Sequence, residues 1–178
     1  YDLVNRADLL VRLGRTREAE VLLSELEAGA RRGLDGYVGR SARVVYLRSF
    51  AAITRLDCRE ALRTLATIAW SPHATDNASV LAPLLANYCG IRAGTVRASR
   101  THLREVNPTL VGEQAFWIAL TALEASDSEF ALVSVDQALE RLPSKQFDEL
   151  RWRLNAAAAV AAERLGDGGR RTRVAGDA

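Results

Sequence analysis

Two histidines, His73 and His102, and two cysteines, Cys58 and Cys89, carry most of the chemical potential in this chain. A thiol or hydroxyl nucleophile needs a base within hydrogen-bond reach, and that base needs a third group to orient it. Cys89 and His102 can meet only across one helical hairpin, and no third group accompanies them. His102 stands where a helical pattern usually places an apolar residue, which predicts a core histidine, while His73 lies in a polar break. Zinc requires three or four ligands at characteristic spacings, and these four side chains are scattered. No strand-elbow GxSxG is present, and the glycines of RLGDGGRRTR follow a helix rather than a strand, so a phosphate cradle is not expected there. The two cysteines share no CxxC spacing and are too few for a disulfide framework. Thiols are expected, with a bridge only if neighbouring repeats bring them together. The chain therefore reads as a non-enzyme without a cofactor or a metal.

Charge removes further classes. The 24 basic and 22 acidic residues of the 178-residue chain leave a formal charge of +2, too small a field to gather nucleic acid or an acidic membrane. Arg40, Arg43, Arg48, Arg55, Arg59 and Arg63 accumulate in one region, but Asp57 and Glu60 interrupt them and helical spacing spreads them around two helices, so no nucleic-acid stripe is expected. No apolar run approaches the roughly 18 residues of a membrane span. A soluble, cytoplasmic protein is expected. The chain opens on Tyr1 and contains no methionine, which suggests a piece of a longer protein.

What positions these residues is helix. The composition is 48% hydrophobic, only 6% aromatic, and rich in alanine, leucine and arginine, which suits helix over sheet. Four alanines open the second helix of successive predicted hairpins: Ala19 in GRTREAEVLLSEL, Ala61 in DCREALRTLATI, Ala98 in GTVRASRTHLREV and Ala131 in SDSEFALVSVDQALERLP. Their intervals of roughly 33 to 42 residues indicate a stacked array of supersecondary units.

The spacing predicts helices over about 2–13 and, capped by Thr16, to Gly33 and Gly36; over 40–56 and, after Asp57, to Trp70; over 80–93, with Pro83 in the first turn, and 96–106; over 110–126 and 128–142; and over 147–165. Gly14, Gly94, Ser71-Pro72, Asn107-Pro108 and Pro143 supply the stops. The expected units are 1–36, 37–71, 77–108, 110–143 and a partial 145–165, with 166–178 a frayed tail. The fold class is all-α: a right-handed α-solenoid of about four to five antiparallel hairpins, with another helical solenoid or a bundle as the competing architecture.

The fourth unit resembles a tetratricopeptide repeat, whose 34-residue pattern sets small residues where two helices approach and a proline at the close. Ala119 and Ala131 match the small positions, Val135 the larger apolar one, Ala138 the next small one and Pro143 the closing proline. The first unit matches through Ala7, Gly14, Ala19 and Leu23, and the second and third through Ala61, Ala86 and Ala98. Ser49 replaces a small residue, and His102 and Glu105 depart from the pattern.

The resemblance implies a concave face lined by the first helices that receives a peptide or a partner's helix. Extended over the chain, its register places Asp8, Arg12, Arg43, Tyr46, Phe50, Asn87, Glu113, Phe116 and Glu124 on that face. Aromatics and arginines tend to carry binding energy, which singles out Arg43, Tyr46, Phe50 and Phe116, although in any helical array Phe50 and Phe116 can equally be core. The family's carboxylate-clamping chaperone binders use a lysine-and-asparagine pattern that is lacking here, Lys145 being the sole lysine. The expected function is a protein-interaction scaffold for a protein or peptide partner. The GRTREA style also resembles arrays in large bacterial signalling proteins, which implies as an alternative a regulatory segment controlling other domains of the same polypeptide.

Overall fold

The computed structural model describes residues 2–31, 39–70, 76–104, 108–142 and 148–166. These form helices α1 (Asp2–Arg12), α2 (Thr16–Arg31), α3 (Gly39–Thr54), α4 (Cys58–Leu65), α5 (Asn77–Arg92), α6 (Pro108–Glu124), α7 (Ser128–Arg141) and α8 (Asp148–Arg164). Among the described residues there is no strand, so the all-α class holds.

One turn recurs. Gly14, Leu56 and Ser126 adopt left-handed backbone conformations, with φ of 73°, 63° and 61°. Around each, the chain closes the preceding helix with the same two hydrogen bonds. Gly14 N–H donates to Val11 and Arg15 N–H to Leu10; Leu56 to Ile53 and Asp57 to Ala52; Ser126 to Leu123 and Asp127 to Ala122, all at 2.8 to 3.1 Å. This is the Schellman arrangement, which satisfies carbonyls a helix end leaves open. At two of the turns an aspartate then caps the next helix: Asp57 accepts from the Glu60 amide at 2.9 Å and Asp127 from the Phe130 amide at 3.2 Å. The new helix runs back along the old one and buries Ala19, Ala61 or Ala131 completely. The absent side-chain bulk is what lets the two backbones approach.

The chain divides into two compact units, Tyr1–Ala93 and Gly94–Ala178. In the first, α1 packs on α2 and α3, α2 on α3, α3 on α4 and α5, and α4 on α5. Among the described residues α2 and α4 do not meet, so α1, α3 and α5 line up side by side with α2 and α4 behind them. Leu23, Leu47 and Leu85 are wholly enclosed at these seams. Arg48 of α3 reaches back to α2, pairing with Glu20 at 3.0 Å and Glu27 at 3.1 Å.

In the second unit α6, α7 and α8 all pack on one another. Ala119, Ala131, Val135 and Ala138 are fully buried between α6 and α7, and Leu154 and Ala161 bring α8 onto them. Gly112 sits where a Cβ would lie against Leu150 Cδ2 and 3.1 Å from Leu142 Cδ1, so α6 and α8 touch there through glycine.

Several expectations are corrected. No helix spans 96–106: residues 97–104 are irregular, and Ala98 is exposed. Every side chain from Arg92 to Arg100 is exposed, which leaves the segment no apolar stripe to pay for a helix. Its backbone bonds elsewhere instead, since the buried Gln114 amide accepts from Arg104 N–H at 3.0 Å and donates to Arg104 carbonyl at 3.1 Å. His102 is accordingly exposed rather than core. α4 stops at Leu65, short of Trp70, because the Thr67 hydroxyl takes the Thr64 carbonyl at 2.7 Å and the Trp70 indole donates to Leu65 carbonyl at 2.9 Å. α5 begins earlier than expected: Asp76 accepts from the Ser79 amide at 3.0 Å, which starts the helix at Asn77 and leaves Pro83 in its interior. Thr16 is the buried first residue of α2 rather than its cap, and the Ala19 amide bonds Arg15 carbonyl at 3.1 Å. The predicted breaks at Gly33, Gly36, Ser71-Pro72, Asn107 and Pro143, together with His73 and the tail beyond Gly166, lie outside the described residues.

Candidate functional site

Five of the residues expected on a binding face come together in the first unit. Asp8 projects from α1 between two arginines. Arg12, one turn on, donates Nε to Asp8 Oδ1 at 3.0 Å, and Arg43 of α3 donates Nη2 to Oδ2 at 2.8 Å. The two carboxylate oxygens therefore staple the neighbouring helices, and about a fifth of each guanidinium side chain stays open to solvent. Arg43 also lies 5.9 Å from the Tyr46 ring centroid, within the range of a cation–π contact. Tyr46 and Phe50 follow at tilted rings 6.2 Å apart. Their exposure of 1% and 6% makes them the floor beneath the charges rather than part of the surface.

The second unit repeats the chemistry with different residues. Arg153 of α8 stacks its guanidinium over Phe116 at 3.9 Å and lies 3.6 Å from both Glu113 of α6 and Glu149, one turn back on α8. Phe116 is half-buried and meets Trp117 edge-on at 5.5 Å. Glu113 is almost enclosed. Asn87 is half-buried on α5 and Glu124 exposed at the end of α6, and the pairs just described do not include them.

Sequence reasoning missed Arg153. Its i,i+4 relation to Glu149 was a usable signal, but the Phe116 and Glu113 contacts depend on how α8 docks against α6. It also missed Arg100, which bonds Asp127 at 2.8 Å and lies 5.2 Å over the Phe130 ring. Hydrogen bonding to Arg100 holds the Asp127 carboxyl below the ordinary aspartate range, against a weaker opposing effect of burial, and the Phe130 amide adds to the lowering. Arg15 acts likewise on Glu18 through a pair at 2.6 Å.

The carboxylates of both clusters face arginines. The His102 ring packs edge-on against Phe130 at 6.0 Å. Among the described residues no group of three or more histidine, cysteine, aspartate or glutamate side chains is placed to hold a metal. An open cleft of about 450 Å³ lies among Ser126, Asp127, Ser128, Glu129, Arg164 and Leu165, where Arg164 donates to the Leu123 carbonyl at 2.5 Å. No described helix is long and apolar enough to cross a membrane. What the arrangement offers is two half-buried arginine clusters backed by aromatic rings, one in each unit. No family model matches this chain, and no curated protein or solved structure matches it.

Proposed function

We propose that this chain is a protein-interaction scaffold built as a right-handed solenoid of tetratricopeptide-like hairpins, which receives an extended peptide or a helix of a partner on the side lined by its first helices. The observation that carries the reading is the row of first helices, α1 beside α3 beside α5 in one unit and α6 beside α8 in the other, with an aromatic-backed charge cluster at a seam of each row. A segment crossing α1 and α3 would meet the open edges of Asp8, Arg12 and Arg43. One crossing α6 and α8 would meet Phe116, Glu113 and Arg153. Arginine suits this role because its planar head presents several donors in a fixed fork that matches a carbonyl or carboxylate. Tyr46 and Phe50 support the cluster from below and contribute through position.

The test is affinity capture from a bacterial lysate with the wild-type chain, an Arg43→Ala/Arg153→Ala double variant, and an Arg63→Ala control on the rear helix α4. A specific protein retained by wild type and control but lost by the double variant, with far-UV circular dichroism unchanged in all three, is the expected result. Equal capture by all three would reject the clusters as the binding face.

A further inference from the structure

Each unit ends in a helix whose outer side is apolar. Among the described residues α1 packs on α2 and α3 alone, and α8 on α6 and α7 alone. On α1, Leu9 and Leu13 stand one turn apart with 56% and 60% of their surface open, and Leu3 is exposed as well, with Arg6 between Leu3 and Leu9 at helical spacing. A single exposed leucine is ordinary, but three along one stripe of an 11-residue helix make a patch. On α8, Trp152, Ala156 and Val160 recur at i, i+4 and i+8; Trp152 is 53% exposed, Val160 is open, and Ala156 and Ala159 lie half-buried between them. End elements of stacked arrays need polar outer faces, and these two are the reverse.

The stripes differ in relief and in sign. The leucines of α1 form a ridge, whereas the alanines of α8 form a floor between a ring and a valine, the shape into which a ridge packs. The exposed charges at the first stripe are Arg6 and, just beyond the turn, Arg17, since Arg15 and Glu18 neutralise each other in their own pair. At the second they are acidic: Asp148 and Glu149 ahead of Trp152, and Glu163 after Val160. The arginines of α8 are engaged elsewhere, Arg151 with the Leu142 carbonyl, Arg153 over Phe116 and Arg164 with the Leu123 carbonyl. Joining two like stripes would set Arg6 against Arg6 or carboxylate against carboxylate, while joining unlike stripes sets opposite charges together.

We propose that the occupant of each stripe is the other stripe on a second copy of this chain. The leucines of α1 in one copy seat on the alanine floor of α8 in the next, and Arg6 and Arg17 face the carboxylates at its ends. Such a contact is heterologous, head to tail. One helix face per partner is small for an interface, so the association is weak and governed by concentration and salt. This inference stands apart from the partner-binding reading and does not need it.

The experiment is sedimentation equilibrium of the 178-residue chain from about 1 μM to about 1 mM at low and at high salt. It includes Leu9→Glu/Leu13→Glu, Trp152→Glu/Val160→Glu, an equimolar mixture of these two, and Arg6→Glu. All five positions are exposed, so the circular dichroism of each variant should match wild type. Wild type should associate as its concentration rises, and less at high salt. Each double variant should stay monomeric, one having lost its head and the other its tail. Their mixture keeps one intact head and one intact tail, so it should form a dimer and stop there. Arg6→Glu, with both apolar stripes intact, should weaken association several-fold at low salt. The proposal is overturned if wild type is monomeric throughout, if either double variant alone associates as wild type does, if the mixture stays monomeric, or if Arg6→Glu associates as tightly as wild type.

Discussion

At the scale of single residues, the left-handed positions carry most of the information. Gly14 and Gly94 were legible as helix ends because glycine pays nothing for positive φ. Leu56 and Ser126 occupy the same site in the same hydrogen-bonded turn, and nothing in their side chains announces it. The aspartates after them did mark the junction, since an aspartate ahead of a helical run reads as a cap. An L-residue with a Cβ pays about 1 kcal/mol to sit in this region, and Leu56, 72% exposed, recovers little by burial. Leu56→Gly should therefore raise stability by about 1 kcal/mol, read as a higher urea midpoint at unchanged slope. Asp127 gives the opposite case. Asp127→Ala removes the α7 cap and should cost about 1 kcal/mol, whereas Asp127→Asn keeps a capping oxygen and costs less. Because pairing with Arg100 depresses the Asp127 pKa, its contribution is complete above the ordinary aspartate value of about 3.9 and is lost as pH falls through the lower folded value. The wild-type advantage over Asp127→Asn in urea midpoint should accordingly be constant near neutrality and shrink below about pH 4. An advantage that grew in acid would refute the pairing.

At the scale of elements, helices with one clear apolar stripe were readable and those that depend on other parts of the molecule were not. α1, α2, α7 and α8 begin and end within a few residues of where their leucines and alanines put them. The failed helix over 96–106 shows the limit: alanine at the repeat interval suggested a partner helix, but solvent surrounds Ala98, and the Gln114 amide holds the Arg104 backbone instead. Clusters at helix seams were half legible for a similar reason. Asp8 and Arg12 share a turn of one helix, while the Arg153 stack on Phe116 joins helices far apart in sequence. Pro83 belongs to this scale as well. It interrupts α5 where an amide would otherwise donate to the Ser79 carbonyl, and its ring is exposed. Pro83→Ala should restore that bond and the helix propensity, stabilising the first unit by about 1 kcal/mol or more. A lower midpoint would refute this expectation.

At the scale of the whole chain, the two units are joined through an irregular and exposed stretch ahead of Arg104. Arg97 lies in it with no helix to protect its peptide bond, so brief trypsin treatment should cut there before any site within a helix, releasing two helical fragments that mass spectrometry identifies. First cleavage within α3 or α7 would contradict this. The recurring turn has a consequence in time rather than in space. Each hairpin carries its own stop and close-approach alanine, and two of the three an aspartate cap, within a short run of sequence, so the contacts that build it are local and folding should be fast, on the microsecond to millisecond scale of helical bundles. Ribosomes add only about 5 to 20 residues per second. The hairpin of α1 and α2 can thus close long before Cys89, Arg100 or Arg153 has been translated, and within the first unit it offers α3 a template face.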